Sequence, residues 1–359
     1  MKPLKVAFVA VLKPTNDIRL FQKLAHCWLE TGFQVHCFGF GNTKPQAEAH
    51  ENIHFYTIFR KSRLHWSRFF VGWRLLGYLL KIRPQMVVCA AVEILPFCVF
   101  YKFIAFLAFR KVHLIYDVQE NYAANILFTQ TYPKIFRYFL AKIVRFSEWI
   151  CSWWVDMFFL AEKCYAQELP FVNDKFLILE NKFLKSHLLP QKIAKNSKMT
   201  FLHSGTLAKE YGTEKVLEII KNLAHQNSDY QFAIIGKCSN EALFAQIEKL
   251  SNKNIFIKIS PSPIAYEEIL LFYQKANVIL MPYQINEAYK NRIPTKFYEA
   301  MAHNAWIWVQ DNPAWHLFFE EYAYRKVVFS DFWSENLNFN ILPQISFLEE
   351  KPYFNPNIF

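Results

Sequence analysis

The chain has 359 residues, which exceeds one typical hydrophobic core and predicts two domains. Hydrophobic residues make up 53% and charged residues 20%, which excludes an intrinsically disordered chain. The net charge of +11 favours anionic partners, and the aromatic content of 18% indicates an apolar surface or interface.

The seven cysteines are scattered, with no pair closer than nine residues, which excludes a zinc ribbon and a C-x-x-C redox motif. Free thiols in a reducing cytoplasm are therefore expected. The apolar N-terminal segment lacks a small-residue cleavage site, so it predicts a first buried strand and not a signal peptide. The longest apolar run, residues 94–109, is shorter than the ~20 residues of a membrane-spanning helix. We therefore expect a cytoplasmic protein.

The first half alternates strand and helix patterns, which predicts a parallel sheet of Rossmann type. The predicted strands are 6–12, 34–40, 53–59, 86–91, 113–118, 156–160 and 176–179, and the predicted helices are 17–30, 66–82 and 94–109. Asp17 is a plausible cap for the first helix, and Gly32 a plausible stop.

A polar, proline-containing segment at 184–198 predicts a linker, after which the alternation restarts. The later predicted strands are 199–203, 232–235, 255–259 and 278–281, and the later predicted helices are 214–223 and 266–274. We predict two Rossmann-like domains, an N-terminal one at 1–183 and a second one at 184–325. Residues 326–359 would form a C-terminal tail that could pack back on the N-terminal domain.

The segment 292–302 sets a cation and a carboxylate one helical turn apart. Pro294 suits the start of a helix, and Lys296 and Glu299 then share one face at i and i+3. The helix start adds free N–H groups and a partial positive charge, which suit a phosphate. The carboxylate could accept both hydroxyls of a ribose. The alternative is a surface salt bridge on an ordinary helix.

Glycines are scarce in this chain, which has eight, and after Gly77 the remaining ones are Gly205, Gly212 and Gly236. Gly205 and Gly236 follow predicted strands, at the edge where a parallel sheet presents its ligand. Glycine at such a position lets the backbone approach a phosphate or a sugar closely. The alternative at each position is an ordinary tight turn.

Together these residues resemble the GT-B glycosyltransferases, in particular the retaining family 4 enzymes, also called glycosyl transferases group 1. The resemblance spans residues 4–310 and is carried by 201–206, Gly212, 234–236, 276–283 and 294–302, with weaker matches at 16–19, 115–120 and 179–181. It implies an α/β GT-B fold, in which two Rossmann-like domains face each other across a cleft. The resemblance also implies that the domain at 1–183 binds the acceptor and the domain at 184–325 binds the nucleotide sugar.

Three departures from that family pattern bear on activity. Asn291 stands where an acidic residue often contacts the donor sugar, and Gln119 stands where a histidine is usual near the acceptor. Asn304 replaces a glycine but still tolerates a left-handed conformation. A degenerate, catalytically silent member of the family therefore remains an alternative.

The resemblance implies sugar transfer from a UDP- or GDP-linked donor, with no separate cofactor. We expect Lys296 and Arg292 to stabilise the departing diphosphate. The chain has no Asp-x-Asp motif, so no metal is expected. Asp117 and Glu120 could orient or deprotonate an acceptor hydroxyl, the alternative being a helix N-cap. The candidate donor-binding residues are Gly205, Thr206, Lys209, Gly236, Lys237, Tyr283, Pro294, Thr295 and Glu299.

The stretch from Arg60 to Arg83 contains seven basic residues, no acidic residue and interleaved aromatic residues. Such a pattern suits anionic lipid headgroups, and four cations further on could extend the patch: Lys134, Arg137, Lys142 and Arg145. The alternative is a solvated helix whose aromatic residues face the core.

The sequence thus predicts a cytoplasmic glycosyltransferase that extends a glycan or lipid-linked acceptor for a bacterial surface polysaccharide, with retention. Its expected partners are a nucleotide sugar, that acceptor and an anionic membrane surface, and not nucleic acid. One alternative is a GT-B-fold sugar-nucleotide epimerase. Another is a non-catalytic protein whose positive charge binds nucleic acid or a membrane surface.

Overall fold

The structure is a computed structural model that describes residues 3–41, 51–62, 65–128, 133–188, 198–250, 252–287, 289–334, 337 and 355–358. The chain divides into two compact units, Met1–Asn181 and Lys182–Phe359. Each unit contains a parallel sheet covered by helices, so the predicted two-domain α/β fold is confirmed.

The first unit contains a seven-stranded parallel sheet in the order β3-β2-β1-β4-β5-β6-β7. Its strands are β1 (Lys5–Pro14), β2 (Gln34–Phe40), β3 (Ile53–Phe59), β4 (Met86–Cys89), β5 (His113–Val118), β6 (Met157–Leu160) and β7 (Phe176–Ile178). In β1, Val6 and Phe8 lie in one hydrophobic core, and the alternate residues Ala7 and Val9 lie in another. Burial on both faces explains why the strand is continuously apolar.

The helices of this unit begin with a π-helix, Ile18–Ala25, which continues into α1 (His26–Glu30). Asp17 caps it by accepting hydrogen bonds from the N–H groups of Arg19 and Leu20, both at 3.0 Å. Gly32, at φ +83°, follows its end. The other helices are α2 (Val71–Ile82), α3 (Leu95–Leu107), α4 (Tyr122–Phe128), α5 (Lys134–Ser152) and α6 (Tyr165–Glu168). A short 3₁₀ turn, Trp66–Phe70, leads into α2.

The second unit contains a six-stranded parallel sheet in the order β10-β9-β8-β11-β12-β13. Its strands are β8 (Thr200–Thr206), β9 (Gln231–Lys237), β10 (Ile255–Ser260), β11 (Val278–Met281), β12 (Trp306–Gln310) and β13 (Val327–Ser330). Its helices are α7 (Thr213–Gln226), α8 (Glu241–Glu248), α9 (Tyr266–Lys275), α10 (Thr295–Ala302) and α11 (Pro313–Glu321). Asn304 follows α10 at φ +52°, the left-handed conformation expected there.

The C-terminal segment differs from the predicted tail. Val327–Ser330 is the edge strand of the second sheet and pairs with β12. Ile358 is buried in the core of the second unit, and its carbonyl accepts a hydrogen bond of 3.0 Å from the Phe183 N–H. The described residues of this segment therefore pack on the second unit, because their apolar side chains complete its core.

Candidate functional site

Two glycines end neighbouring strands of the second sheet. Gly205 of β8 pairs in register with Gly236 of β9, and Thr206 pairs with Lys237. A Cβ atom on Gly236 would lie 1.9 Å from the Gly205 carbonyl oxygen, so the strands approach too closely for any side chain there. Gly205 itself has φ +90°, which favours glycine. Both positions therefore require glycine for backbone reasons.

Lys296 lies directly against this edge, because it occupies the first turn of α10. A Cβ atom added to Gly205 would lie 2.9 Å from Lys296 Cε and 3.3 Å from its Nζ. The absence of a side chain at 205 thus makes room for the ammonium group. The structure thus brings together Gly205 and Lys296, two of the predicted site residues.

Two tyrosine rings enclose the same ammonium group. Lys296 Nζ lies 5.5 Å from the ring centroid of Tyr283 and 5.9 Å from that of Tyr211, within the range of cation–π attraction. Burial lowers the pKa of Lys296 to about 8, and nearby Glu299 partly opposes that shift. A cation withdrawn from water in this way gains more than an exposed lysine from an anionic ligand.

Glu299 lies one turn further along α10, close to two tyrosines of α9. Its Oε1 accepts a hydrogen bond of 3.0 Å from the Tyr266 hydroxyl, and burial followed by the Glu299 charge raises the pKa of Tyr273. Burial, followed by the Glu299 charge, also raises the pKa of Tyr266. Tyr266 therefore remains a neutral donor that holds the carboxylate in place, about one helical turn from the ammonium group.

A match to a known protein family covers the residues that form this site. Residues 186–322, which include β8, the glycine edge and α10, match the family Glycosyl transferases group 1. The second unit carries a group 1 glycosyltransferase domain. The protein is therefore a glycosyltransferase.

Solved structures share the fold of this glycosyltransferase at low sequence identity. Sucrose-phosphate synthase from Thermosynechococcus elongatus is 12% identical with a TM-score of 0.67, covering 95% of this chain and 89% of its own. Starch Synthase IV from Arabidopsis thaliana, bound to ADP and acarbose, is 10% identical with a TM-score of 0.60, covering 88% and 84%. HepE from Anabaena, in complex with UDP and glucose, is 10% identical with a TM-score of 0.55, covering 88% and 82%. Among curated protein sequences, none matches.

A buried histidine supports the glycine edge of the second sheet. His203 Nδ1 lies 3.1 Å from the Leu280 carbonyl oxygen, which must accept, so Nε2 accepts from the Thr213 hydroxyl at 3.0 Å. Burial lowers the pKa of His203 to about 3, and the Lys296 charge lowers it further. The imidazole is therefore neutral and joins β8 to β11 and α7 without competing for an anion.

The remaining predicted donor residues lie at the same end of the second sheet or in the turn before α10. Thr206 is exposed, Lys237 is half-buried, and exposed Lys209 has its Nζ 4.0 Å from Glu214. Pro294 is the N-cap of α10, and Thr295 is its first residue. Donor binding by these residues stays a prediction.

Arg292 lies in the turn before α10. The guanidinium carbon of Arg292 is 5.0 Å from the ring centroid of Tyr289, and its carbonyl oxygen accepts a 2.8 Å hydrogen bond from Trp315 Nε1. These contacts fix the backbone of the turn. A role for this side chain in neutralising a diphosphate stays a prediction.

Asp117 differs from its predicted role as an acceptor-orienting base. Its side chain is completely buried and paired with Arg19, whose Nη2 lies 2.6 Å from Oδ1 and whose Nε lies 3.0 Å from Oδ2. Gln119 donates a further 2.6 Å hydrogen bond to Oδ2. Both carboxylate oxygens are thus engaged, so Asp117 is a structural partner of Arg19 and unsuited to take a proton from an acceptor.

Gln119 and Glu120 also acquire defined positions. Gln119 is buried, and its Oε1 accepts a hydrogen bond from the Lys13 ammonium group. Glu120 is exposed and accepts a 2.6 Å hydrogen bond from Asn125. The cap of α4 is Asn121, whose Oδ1 accepts from the Ala124 N–H at 3.2 Å, so neither predicted carboxylate caps this helix. Glu120 therefore remains a candidate for acceptor contact.

Several residues of this site were missed from the sequence. Tyr211, Tyr266, Tyr273 and His203 carry no motif, because aromatic residues on apolar helix faces and strands normally indicate core packing. The position of Tyr211 immediately before Gly212 was the one local signal available. A Cβ atom on Gly212 would lie 1.8 Å from the Pro282 carbonyl oxygen, so this glycine brings the Tyr211 turn against the end of β11.

Proposed function

We propose that the protein transfers a sugar from a nucleotide-sugar donor, UDP- or GDP-linked, to a glycan or lipid-linked acceptor in the synthesis of a bacterial surface polysaccharide. The observation that carries this proposal is the position of the Lys296 ammonium group beside Gly205, in the space left by the missing side chain at the carboxyl edge of the second sheet. Parallel α/β sheets bind ligands at this edge. The ADP and UDP held by two proteins of similar fold support a nucleoside diphosphate as the ligand.

Different residues of the site then bind different parts of the donor. Lys296 binds the diphosphate, for which its partial desolvation makes the charge interaction stronger than in water. Glu299, fixed by Tyr266, accepts hydrogen bonds from the ribose hydroxyls on the same face of α10. The glycine edge leaves space for the phosphates and offers backbone N–H groups.

During transfer the bond between the anomeric carbon and the diphosphate oxygen breaks, and its electron pair leaves with the nucleoside diphosphate. Lys296 stabilises the negative charge that develops on that oxygen, with Arg292 assisting. The acceptor hydroxyl forms the new bond on the face that the leaving group vacates, so the configuration is retained. Its proton passes to the departing diphosphate, which lies on that same face.

The proposal also places the protein on the inner face of the cytoplasmic membrane, where a lipid-linked acceptor would be available. Its support is the basic stretch Arg60–Arg83, in which Trp66, Phe70 and Trp73 are exposed instead of packed in the core. Arg63 of that stretch lies outside the described residues. No helix among the described residues is long and apolar enough to cross a membrane.

A thermal-shift screen against UDP-, GDP-, CMP- and dTDP-sugars tests the donor assignment. A ligand that binds the folded state raises the unfolding temperature by mass action, so one nucleotide class should stabilise the wild type above the others. The Lys296→Ala variant should lose that shift, whereas Lys275→Ala, which removes an exposed lysine at the end of α9, should keep it. A shift equal in all three proteins would contradict the proposal.

A further inference from the structure

Helices α2, α3 and α5 form one layer on one face of the first sheet, because α3 packs against both of the others. Leu75 of α2, Tyr101 of α3 and Cys151 of α5 are buried in the same core. The Trp73 ring of α2 contacts Phe97 of α3 at 5.2 Å between centroids. The outward sides of the three helices therefore form one continuous surface.

That outward surface is apolar where a soluble helix is normally polar. On α5, the exposed fraction is 89% for Ile135, and Trp153 immediately after the helix is 74% exposed. The end of α3 leads to Phe109, which is 100% exposed. We call the exposed apolar residues of α3 and α5 the aromatic face: Phe100, Phe103, Phe106, Leu107, Phe109, Ile135, Phe136, Tyr138, Phe139, Ile143, Phe146, Trp149, Ile150 and Trp153. An exposed apolar area of this extent marks an interaction surface.

The charges around the aromatic face are almost all positive. The segments Trp66–Ile82, Leu95–Leu107 and Lys134–Ser152 together contain eight lysines and arginines and one acidic residue, Glu148. Glu148 is buried and bonded to Tyr116 at 2.9 Å and to Arg145 at 3.0 Å. Just outside these ranges, Glu93 pairs with Arg68 at 2.5 Å and Asp156 with Lys102 at 2.6 Å, so the outward side of these described helices carries a clear excess of cations over acidic residues. Such a surface suits an anionic bilayer, whereas a second copy of the chain would bring like charges together.

We propose that α5, with the C-terminal end of α3, lies in the interfacial layer of an anionic lipid bilayer and inserts the aromatic face among the acyl chains. The inference rests on the proposed membrane association and replaces a purely electrostatic contact through Arg60–Arg83 by partial insertion of α5. The 19-residue α5 then lies in the plane of the membrane. Lys142, whose ammonium is 4.5 Å from the Tyr138 ring centroid, reaches the headgroups along that ring.

A cavity of about 340 Å³ next to α5 is consistent with binding to an anionic lipid. Ala123 and Leu127 of α4 and Ala141 of α5 give it apolar walls, and Lys142 and Arg145 line it with cations. Asn121 and Glu148 fix the Arg145 guanidinium through hydrogen bonds of 2.6 and 3.0 Å. An anionic phosphate attached to an apolar chain complements this combination of cations and apolar walls.

Vesicle sedimentation tests the proposal with phosphatidylglycerol-containing and pure phosphatidylcholine vesicles, at low and high salt. The test variant combines Phe146→Ser, Trp149→Ser and Trp153→Ser. The matched control combines Phe256→Ser, Leu271→Ser and Leu317→Ser, which removes exposed apolar side chains from the second unit. We expect the test variant to bind anionic vesicles at least tenfold more weakly than the wild type, and the control to bind like the wild type. The difference should persist at high salt, where charge attraction is screened.

Tryptophan fluorescence quenching provides a second test. It uses milder substitutions, so it does not require the serine variant to fold. Acyl-chain-brominated phosphatidylglycerol should quench wild-type tryptophan fluorescence, and the combined Trp149→Phe and Trp153→Phe variant should show less quenching. Wild-type binding by the serine variant, or equal quenching in both proteins, would overturn insertion of α5. Failure of the wild type to bind any vesicle would overturn the membrane association as well. Donor binding in the thermal-shift screen would separate that result from failure of the transferase proposal.

Discussion

The end of the Lys296 side chain occupies the space that a side chain at Gly205 would need, at the edge of the second sheet. A single methyl group at position 205 would lie 2.9 Å from Lys296 Cε, closer than such atoms normally approach. A residue of β8 and a residue of α10, far apart in sequence, thus define the space in which a diphosphate would lie. The following predictions begin with this arrangement.

Replacing Gly205 by alanine should weaken donor binding and destabilise the second unit. The new Cβ would displace Lys296, and φ +90° is strained for any other residue by about 1–3 kcal/mol. Nucleotide titration and chemical denaturation would measure the two effects. Gly77→Ala is the control, since nothing lies within 4 Å of that position inside α2, and it should stabilise the helix by about 0.5–1 kcal/mol. Unchanged affinity in Gly205→Ala would contradict this arrangement.

Donor affinity should fall as the pH rises through 8. Burial lowers the pKa of Lys296 to about 8 in the free protein, so above that pH the lysine must regain a proton to bind the diphosphate. This costs about tenfold in affinity per pH unit until the pKa of the bound form is reached. Calorimetric titrations of the donor between pH 7 and 9 measure this change in affinity. Lys296→Arg should bind with little pH dependence, because guanidinium stays charged. A flat wild-type profile would rule out this lysine as the contact.

Removing the charge of Glu299 should weaken nucleotide binding while leaving the fold intact. Glu299→Gln keeps the size of the side chain but loses the charge that receives the ribose hydroxyls. Tyr266→Phe removes the 3.0 Å hydrogen bond that holds the carboxylate, so it should have a smaller effect of the same sign. A 2′-deoxynucleotide is the decisive comparison: the wild type should bind it more weakly, and Glu299→Gln should no longer distinguish the two. Equal wild-type affinity for both would remove the assignment.

The core of this site was predictable from sequence because its parts are local. Lys296 and Glu299 are one helical turn apart, and glycines at strand ends are visible in a chain so poor in glycine. The tyrosines of α9 and the 3₁₀ turn could not be found in this way, because their contacts with Glu299 and Lys296 depend on tertiary packing. The dependence on tertiary packing also explains why the structural role of Asp117 was not predicted. The partner Arg19 lies 98 positions away, so its burial and ion pair could not be read from the strand pattern.

Loss of the Asp117 charge should destabilise the first unit strongly. Asp117→Asn leaves the Arg19 guanidinium buried without its counter-charge, which typically costs about 3–5 kcal/mol. Denaturation monitored by circular dichroism should show this loss. Glu93→Gln is the matched control, because its pair with Arg68 is partly exposed and should contribute about 1 kcal/mol or less. Unchanged stability together with abolished transfer would restore Asp117 as a candidate base.

The parallel sheets were largely predictable, since buried strands are continuously apolar and alternate with helices. The 19-residue helix α5 was not predicted, because its apolar side does not face the core. Phe139 and Phe146 face solvent whereas Glu148 is buried, so the apolar residues of this helix do not mark its packed side. No strand was predicted at β12, which lies in the predicted second domain, and β13 lies in the segment that was predicted to be a tail. A surface adapted to a partner can thus obscure the helix that carries it.

The proposed role of Lys296 is to stabilise the departing diphosphate, and the rate of transfer or slow donor hydrolysis by Lys296→Ala measures that role. A contact made mainly in the transition state is worth about 2.7–4 kcal/mol, so kcat should fall roughly 10²–10³-fold, more than KM for the donor rises. Lys275→Ala should turn over like the wild type, and EDTA should leave the wild-type rate unchanged. Wild-type turnover by Lys296→Ala, or activity lost in EDTA and restored by Mn²⁺ or Mg²⁺, would contradict the account.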